Sequence, residues 1–272
     1  MKRMLIILML LGAGLVPVMG QPTEPGLYLD QSLQGEINPL GAKLESRLYY
    51  RLPLIKSDKL LWESTKIDLG IQNDLTPAYD FAGVYIDIAP IAVLDLALTA
   101  QVAGYYKAFG FGFYGLSGPD AGYNSSSLQA LQAQNATGYV LSATPTLKAA
   151  FGPIVVLDSG TINYFKVSES LAYFYERSYD TVLSNPGTEL ANQAYLLARV
   201  HPDILAGIND YLLYVPKTGY LSHRISGIVI YSGRLSSRVS PYGALVVGTY
   251  LADRYEVDAL YLAAQVGATL HL

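Results

Sequence analysis

The chain has 272 residues, of which 51% are hydrophobic and only 15% charged, with a net charge of −4 and no cysteine. The missing cysteine excludes disulfides, thiolate metal sites and a lipid-modified N-terminal cysteine. The acidic balance argues against a nucleic-acid partner.

Lys2 and Arg3 precede an apolar stretch from Met4 to Val16, then Val18, Met19 and Gly20 before Gln21. This reads as a secretory signal over 1–20, leaving 21–272 as one domain. Cleavage after Gly20 removes two positive charges and no acid, taking the net charge from −4 to −6. The stretch is too short to cross a bilayer as a helix, and no later run of about 18 apolar residues exists.

Beyond Gly20 the dominant pattern is alternation. Side chains of a strand point to opposite faces in turn, so a period of two marks a two-faced strand. The first predicted strand runs near Leu27 to Ile37, and Asn38 and Pro39 turn it into a second from Leu40 to Leu54. In the second, Leu40, Ala42, Leu44, Leu48, Leu52 and Leu54 share one parity, and Lys43, Glu45, Arg47, Tyr49 and Arg51 the other. A third strand spans Lys66 to Asp74 with Asp68 and Gln72 on its polar face, and a fourth spans Asp80 to Ala89. Pro90 and Ile91 are expected to turn into a fifth, where Leu94, Leu96, Leu98, Ala100 and Val102 alternate with Asp95, Thr99 and Gln101.

The sixth strand, Tyr139 to Phe151, places Lys148 on its polar face and loses a ladder bond at Pro145. Gly152 and Pro153 close it. In the seventh, Ile154 to about Val167, a bulge or bend is expected at Asp158, Ser159 and Gly160. The eighth, Gln193 to Val200, carries Arg199 on its polar face and ends at His201, Pro202 and Asp203. Three more near 204–215, 223–236 and 241–252 are apolar on both parities, so their facing stays open. The last strand puts Leu260, Leu262, Ala264, Val266, Ala268, Leu270 and Leu272 on one face.

These segments make an all-β fold, a transmembrane antiparallel barrel of about twelve strands within a range of about ten to fourteen. An even count lets the first strand pair antiparallel with the last and leaves no edge in hydrocarbon. Connections after even-numbered strands are short, except between Pro53 and Lys66, whereas the two longest, 108–137 and 168–190, fall together at the opposite end. Such barrels have short periplasmic turns and longer outer loops, which puts both termini in the periplasm. The 23 tyrosines fit the aromatic belts of a membrane interface.

The outward row Val266, Ala268, Leu270 and Leu272 resembles the terminal strand of bacterial outer-membrane β-barrel proteins. Those usually end in an aromatic residue, where this chain has Leu272. The resemblance implies a Gram-negative outer membrane, lipid as the outer solvent and the barrel-assembly machinery as a partner. It identifies no particular porin or enzyme family.

The lumen-lining candidates are Lys43, Glu45, Arg47, Arg51, Lys66, Asp68, Asp95, Lys148 and Arg199. Two readings of them stay open: a porin-like passive channel for small hydrophilic solutes, in which the charges set preference, or a closed structural or adhesive barrel acting through its outer loops, in which they pair and fill the lumen. A third, weaker reading is a hydrolase built from His223 with Ser222, Ser226 and Asp210. Three dispersed His with no HExxH spacing predict no metal, and nothing in the chain calls for a cofactor, so an enzyme is not expected. The run from Tyr105 to Gly115 is expected at the interfacial girdle, with a loop folded into the mouth as the sharper alternative. The segment from Gly118 to Thr137 is expected to be a mobile exposed loop.

Overall fold

The computed structural model describes residues 24–55, 62, 64–108 and 111–272. The expected signal segment lies outside them. Twelve strands form one closed antiparallel barrel: β1 (Gly26–Ile37), β2 (Gly41–Pro53), β3 (Lys66–Leu75), β4 (Tyr79–Ile91), β5 (Leu94–Tyr105), β7 (Ala136–Phe151), β8 (Ile154–Val167), β11 (Gly187–His201), β12 (Ile204–Val215), β13 (Tyr220–Ser232), β14 (Val239–Ala252) and β15 (Leu260–His271). Each pairs with its neighbour in this order, and β1 closes on β15 with Leu33 opposite Val266. The expected antiparallel closure is therefore present, with twelve strands.

The period-two pattern decides which way each strand faces. On β2, Leu44, Leu48 and Leu52 are exposed outward, whereas Glu45, Arg47 and Arg51 are buried inside. The three strands of open facing resolve the same way. On β13, Leu221, Ile225 and Val229 are outside, and Ser222, Arg224, Ser226, Ile228 and Ile230 inside. Its inner face changes from polar to apolar along the strand, which hides the alternation in the sequence.

Two local expectations are corrected. The strand β4 continues through Pro90 to Ile91, and the turn is Ala92–Val93; the proline, which has no N–H to donate, sits where the β4–β5 register shifts between Ile88 and Ile91. No bulge forms at 158–160, because Asp158, Ser159 and Gly160 stay in register with Ala194, Gln193 and Asn192. Side chains hold that stretch: Asn192 donates to Asp158 (2.7 Å), and the Thr146 and Ser159 hydroxyls bond at 2.9 Å. At Pro145 the β7–β8 ladder does skip, passing from Ala143 opposite Ile162 to Thr146 opposite Ser159.

The start of β1 and the end of β15 lie at one end of the barrel, here the terminal end, and the long connections after β5 and β8 lie at the other, the loop end. At the loop end, β6 (Tyr114–Leu116), β9 (Tyr173–Glu176) and β10 (Thr181–Ser184) form a small separate sheet, accompanied by the short helix α1 (Ser125–Gln129). Phe113, Phe174, Val182 and Leu183 of this assembly are buried against Tyr79, Phe81, Tyr105 and Phe165 from the barrel wall. Phe113 stacks on Phe174 with ring centroids 5.5 Å apart. Tyr105, Phe111, Phe113 and Tyr114, the rings of the aromatic run that pack here, therefore sit in the mouth instead of a girdle, since they have apolar partners there. The segment after it is likewise folded, with Tyr123 and Leu128 buried and Asn124 capping α1.

Tyrosine is also distributed against expectation. Tyr50 and Tyr231 face outward near the terminal end, and Tyr139 and Tyr214 near the loop end, as interface belts require, but 13 of the 23 are buried. The interior takes most of them.

The outward face dissolves in lipid only while it stays apolar. Val84→Arg, near the middle of β4, is expected to lower stability by about 2–4 kcal/mol in urea titrations of the protein refolded into bilayers, whereas the same change at loop-end Tyr214 costs about 1 or less.

Candidate functional site

The interior has two levels. In the terminal half an ion network crosses five strands. Arg51 on β2 grips Asp68 on β3 through both carboxylate oxygens, Nε to Oδ1 at 2.7 Å and Nη2 to Oδ2 at 2.6 Å. Lys66 bonds the same Asp68 and reaches Asp87 on β4 at 2.8 Å. Lys148 on β7 meets Asp95 on β5 at 2.6 Å. Three cations face three carboxylates, so the buried charges cancel locally. Arg51 also lies 5.3 Å from the ring centroids of both Tyr28 and Tyr49.

The opposite wall at this level is apolar: Val155, Leu157, Leu197, Leu205, Ile228, Ile230 and Val246 are all buried. Thr269 of β15 and Tyr242 of β14 complete the ring with Asp30 of β1, to which both donate hydrogen bonds of 2.7 and 2.6 Å. Every barrel strand thus supplies a buried inward side chain to this level. Side chains fill it.

Above it, toward the loops, lies a cavity of about 410 Å³. Its rim includes Pro39, Leu40, Pro77, Asp180 and Asp253 from loop-end turns, so it opens at that end. Glu45 accepts from Lys43 (3.2 Å) and Arg47 (2.6 Å), and Arg47 also donates to Gln72 at 3.1 Å. Gln72 and Gln101 both donate to Asp74. On the facing wall, Arg224 of β13 lies over Tyr261 at 3.4 Å from the ring centroid, with Tyr211 at 4.7 Å and Tyr250 at 5.6 Å.

The nine sequence candidates therefore divide. Lys43, Glu45 and Arg47 line the cavity. Arg51, Lys66, Asp68, Asp95 and Lys148 point inward but belong to the packed level. Arg199 is half-buried near the terminal rim and donates to the Pro202 carbonyl at 3.2 Å. Arg224 was not among them, although its parity with Ser222 and Ser226 could have placed it inside. The hydrolase grouping does not assemble: His223 and Asp210 pair at 3.2 Å on the outward face, whereas Ser222 and Ser226 are buried on the inward one. Of the other histidines, His271 stacks on Tyr28 and His201 lies beside Asp203, both at the terminal end.

The loop-end sheet carries buried acids. Glu176 accepts from the Ser178 hydroxyl (2.7 Å) and the Tyr179 N–H (2.9 Å), and Tyr179 in turn accepts from Asn163, which also donates to Glu189 at 2.8 Å. Burial pushes the Glu176 carboxyl up to about 7, only partly offset by those hydrogen bonds and by Arg177. Burial likewise pushes Asp180 up to about 6, against the hydrogen bond from Tyr175 and with Asp253 and Glu256 adding to the rise.

No protein-family model matches the chain, and no curated protein matches it in sequence. Solved structures with a similar course include the β domain of the Bordetella autotransporter Brka (12% identity over 91% of this chain and 98% of that one, TM-score 0.47). Others are a KdgM porin in complex with disordered oligogalacturonate (11%, 90% and 99%, 0.40) and LpxR from Salmonella typhimurium (11%, 90% and 100%, 0.42). At such values no activity or ligand carries over. What decides the class is the closed twelve-strand antiparallel wall, whose outward face is lined with exposed Leu, Ile or Val on every strand while buried ionic and polar side chains gather inside. The architecture is that of an outer-membrane β-barrel.

Each level yields an expected outcome. Asp68→Ala strands Arg51 and Lys66 without their shared carboxylate, and urea unfolding in detergent should register a loss of about 3–5 kcal/mol, as for other broken buried pairs. At the loop end, Glu176 faces Arg177, Asn163, Tyr179 and Glu189, and its carboxyl keeps its proton longer in the folded hairpin than in the opened one. Its contribution is complete below about pH 4.5 and is lost as pH rises to about 7. Hydrogen exchange over 173–184, corrected for its intrinsic pH dependence, should be faster at pH 8 than at pH 5, and Glu176→Gln should flatten the difference.

Proposed function

We propose that this chain is a bacterial outer-membrane barrel, closed to through-diffusion, that acts at the cell surface through its long loops and the cavity beneath them. The observation that carries this reading is the filled terminal half, where inward side chains from all twelve strands are buried. In a water-filled lumen those side chains would be wet. The orientation rests on the asymmetry of connections: the terminal end, with two-residue turns at 92–93, 152–153 and 202–203, is assigned to the periplasm, and the end with the long loops to the outside. Lipid is the solvent of the outer wall, and the exported chain reaches it by way of the barrel-assembly machinery. No reaction is part of this reading.

A porin-like channel for small hydrophilic solutes is the second reading, favoured by the polar, charged lining of the cavity around Lys43, Glu45 and Arg47. It requires the packed level to move aside. Planar-bilayer recording separates the two: the closed barrel gives no conductance above the lipid background, and the double variant Arg51→Ala/Asp68→Ala, which empties part of the packed level while keeping its charge balanced, gives measurable current. Steady unit conductance from the wild-type protein would instead establish the porin-like reading.

A further inference from the structure

Most cations inside this barrel are matched by a carboxylate, with Lys43 and Arg47 on Glu45, Arg51 on Asp68, Lys66 on Asp68 and Asp87, and Lys148 on Asp95. Arg224 differs. It is 8% exposed and lies on the cavity wall, yet among the described residues no carboxylate comes within ion-pair distance of it. Of its five N–H donors, Nη1 meets the Tyr250 hydroxyl at 3.4 Å, and Nε has no acceptor. Glu36 lies within reach of its field, but that carboxylate accepts from Tyr261 at 3.2 Å and forms no ion pair with it. Three tyrosine rings flank the guanidinium, and among the described residues no carboxylate pairs with it.

A buried charge without a partner is costly, and a fixed planar fork matches the geometry of a carboxylate or phosphate. The position is accessible from the loop-end mouth and closed below. We infer that the cavity is a binding site for a small solute bearing one carboxylate or phosphate group, which docks on Arg224, with the rings of Tyr211, Tyr250 and Tyr261 beside it. This rests on the reading of a barrel open only outward. The carboxylates Glu36, Glu45 and Asp74 on the same lining disfavour a densely anionic ligand and leave room for one that is mostly hydroxylated.

The test is calorimetric titration of the full-length barrel in detergent with glucose, glucuronate and glucose 6-phosphate. Glucuronate or glucose 6-phosphate should bind at least about tenfold tighter than glucose, the first result marking a carboxylate and the second a phosphate. Arg224→Gln should erase that preference, and Arg224→Lys, which keeps the charge but loses the fork, should reduce it severalfold. If Arg224→Gln does not give the heat-dependent gel shift of a folded barrel, the lysine variant carries the comparison. Equal binding of all three sugars, no binding of any, or a preference that survives at position 224 without arginine overturns the inference. Bilayer recording on the same preparation keeps the two ideas apart: current together with Arg224-dependent binding overturns closure alone, and silence without charge discrimination overturns the binding site alone.

Discussion

A backbone amide in hydrocarbon has no water to turn to, so every N–H on the wall must meet a carbonyl on the next strand. The rest of this molecule depends on that requirement. It demands closure of β1 on β15 and an even antiparallel count, and twelve strands then fix how much interior there is to fill. The terminal half takes up that space with Arg51, Lys66, Lys148 and three aspartates on one side and aliphatic side chains on the other. Neither half of the ring would close the space alone. The charged side chains are long enough to cross it but need each other for neutrality, and the branched aliphatics on the far wall provide a dry surface against which they pack.

The loop half fills its space differently. There the chain itself folds inward, and the small sheet β6–β9–β10 rests on rings from the wall. Between these two fillings lies the cavity, whose walls bring inward charge to unoccupied volume. Its chemistry is set by which cations are already matched. Glu45 satisfies Lys43 and Arg47, and three tyrosines hold Arg224 without neutralising it.

Much of the wall was legible from the sequence, because a lipid-facing strand must keep its period of two and β2, β5 and β15 keep it cleanly. The facing of β12, β13 and β14 was not, for a physical reason: Leu205, Ile228, Ile230 and Val246 point inward to the packed level, so apolar residues occupy both parities. Inward charges on β2, β3, β5 and β7 could be found by parity alone. Whether they border a path or a plug could not, since that depends on cross-strand distances such as Lys148 to Asp95, 53 residues apart in the chain. In the sequence the aromatic run from Tyr105 reads as interfacial, because a ring gives the same signal there as in a small core. Only the partners, Phe174 and Phe165 among them, distinguish the two.

The apolar seat of the loop sheet has a bearing on order of assembly. Tyr79 and Phe81 come from β4, Phe165 from β8, and Leu213 and Tyr220 from β12 and β13, so the surface on which the sheet rests is gathered from more than half of the chain. Loop-closure entropy must be met before such distant contacts stabilise anything. A partly built wall offers Phe113 and Phe174 no complete seat, and the loops stay outside until the strands on both flanks are in place. Seating of the loop sheet is thus a late event, and the arrangement of the loops reports that the wall beneath them is complete.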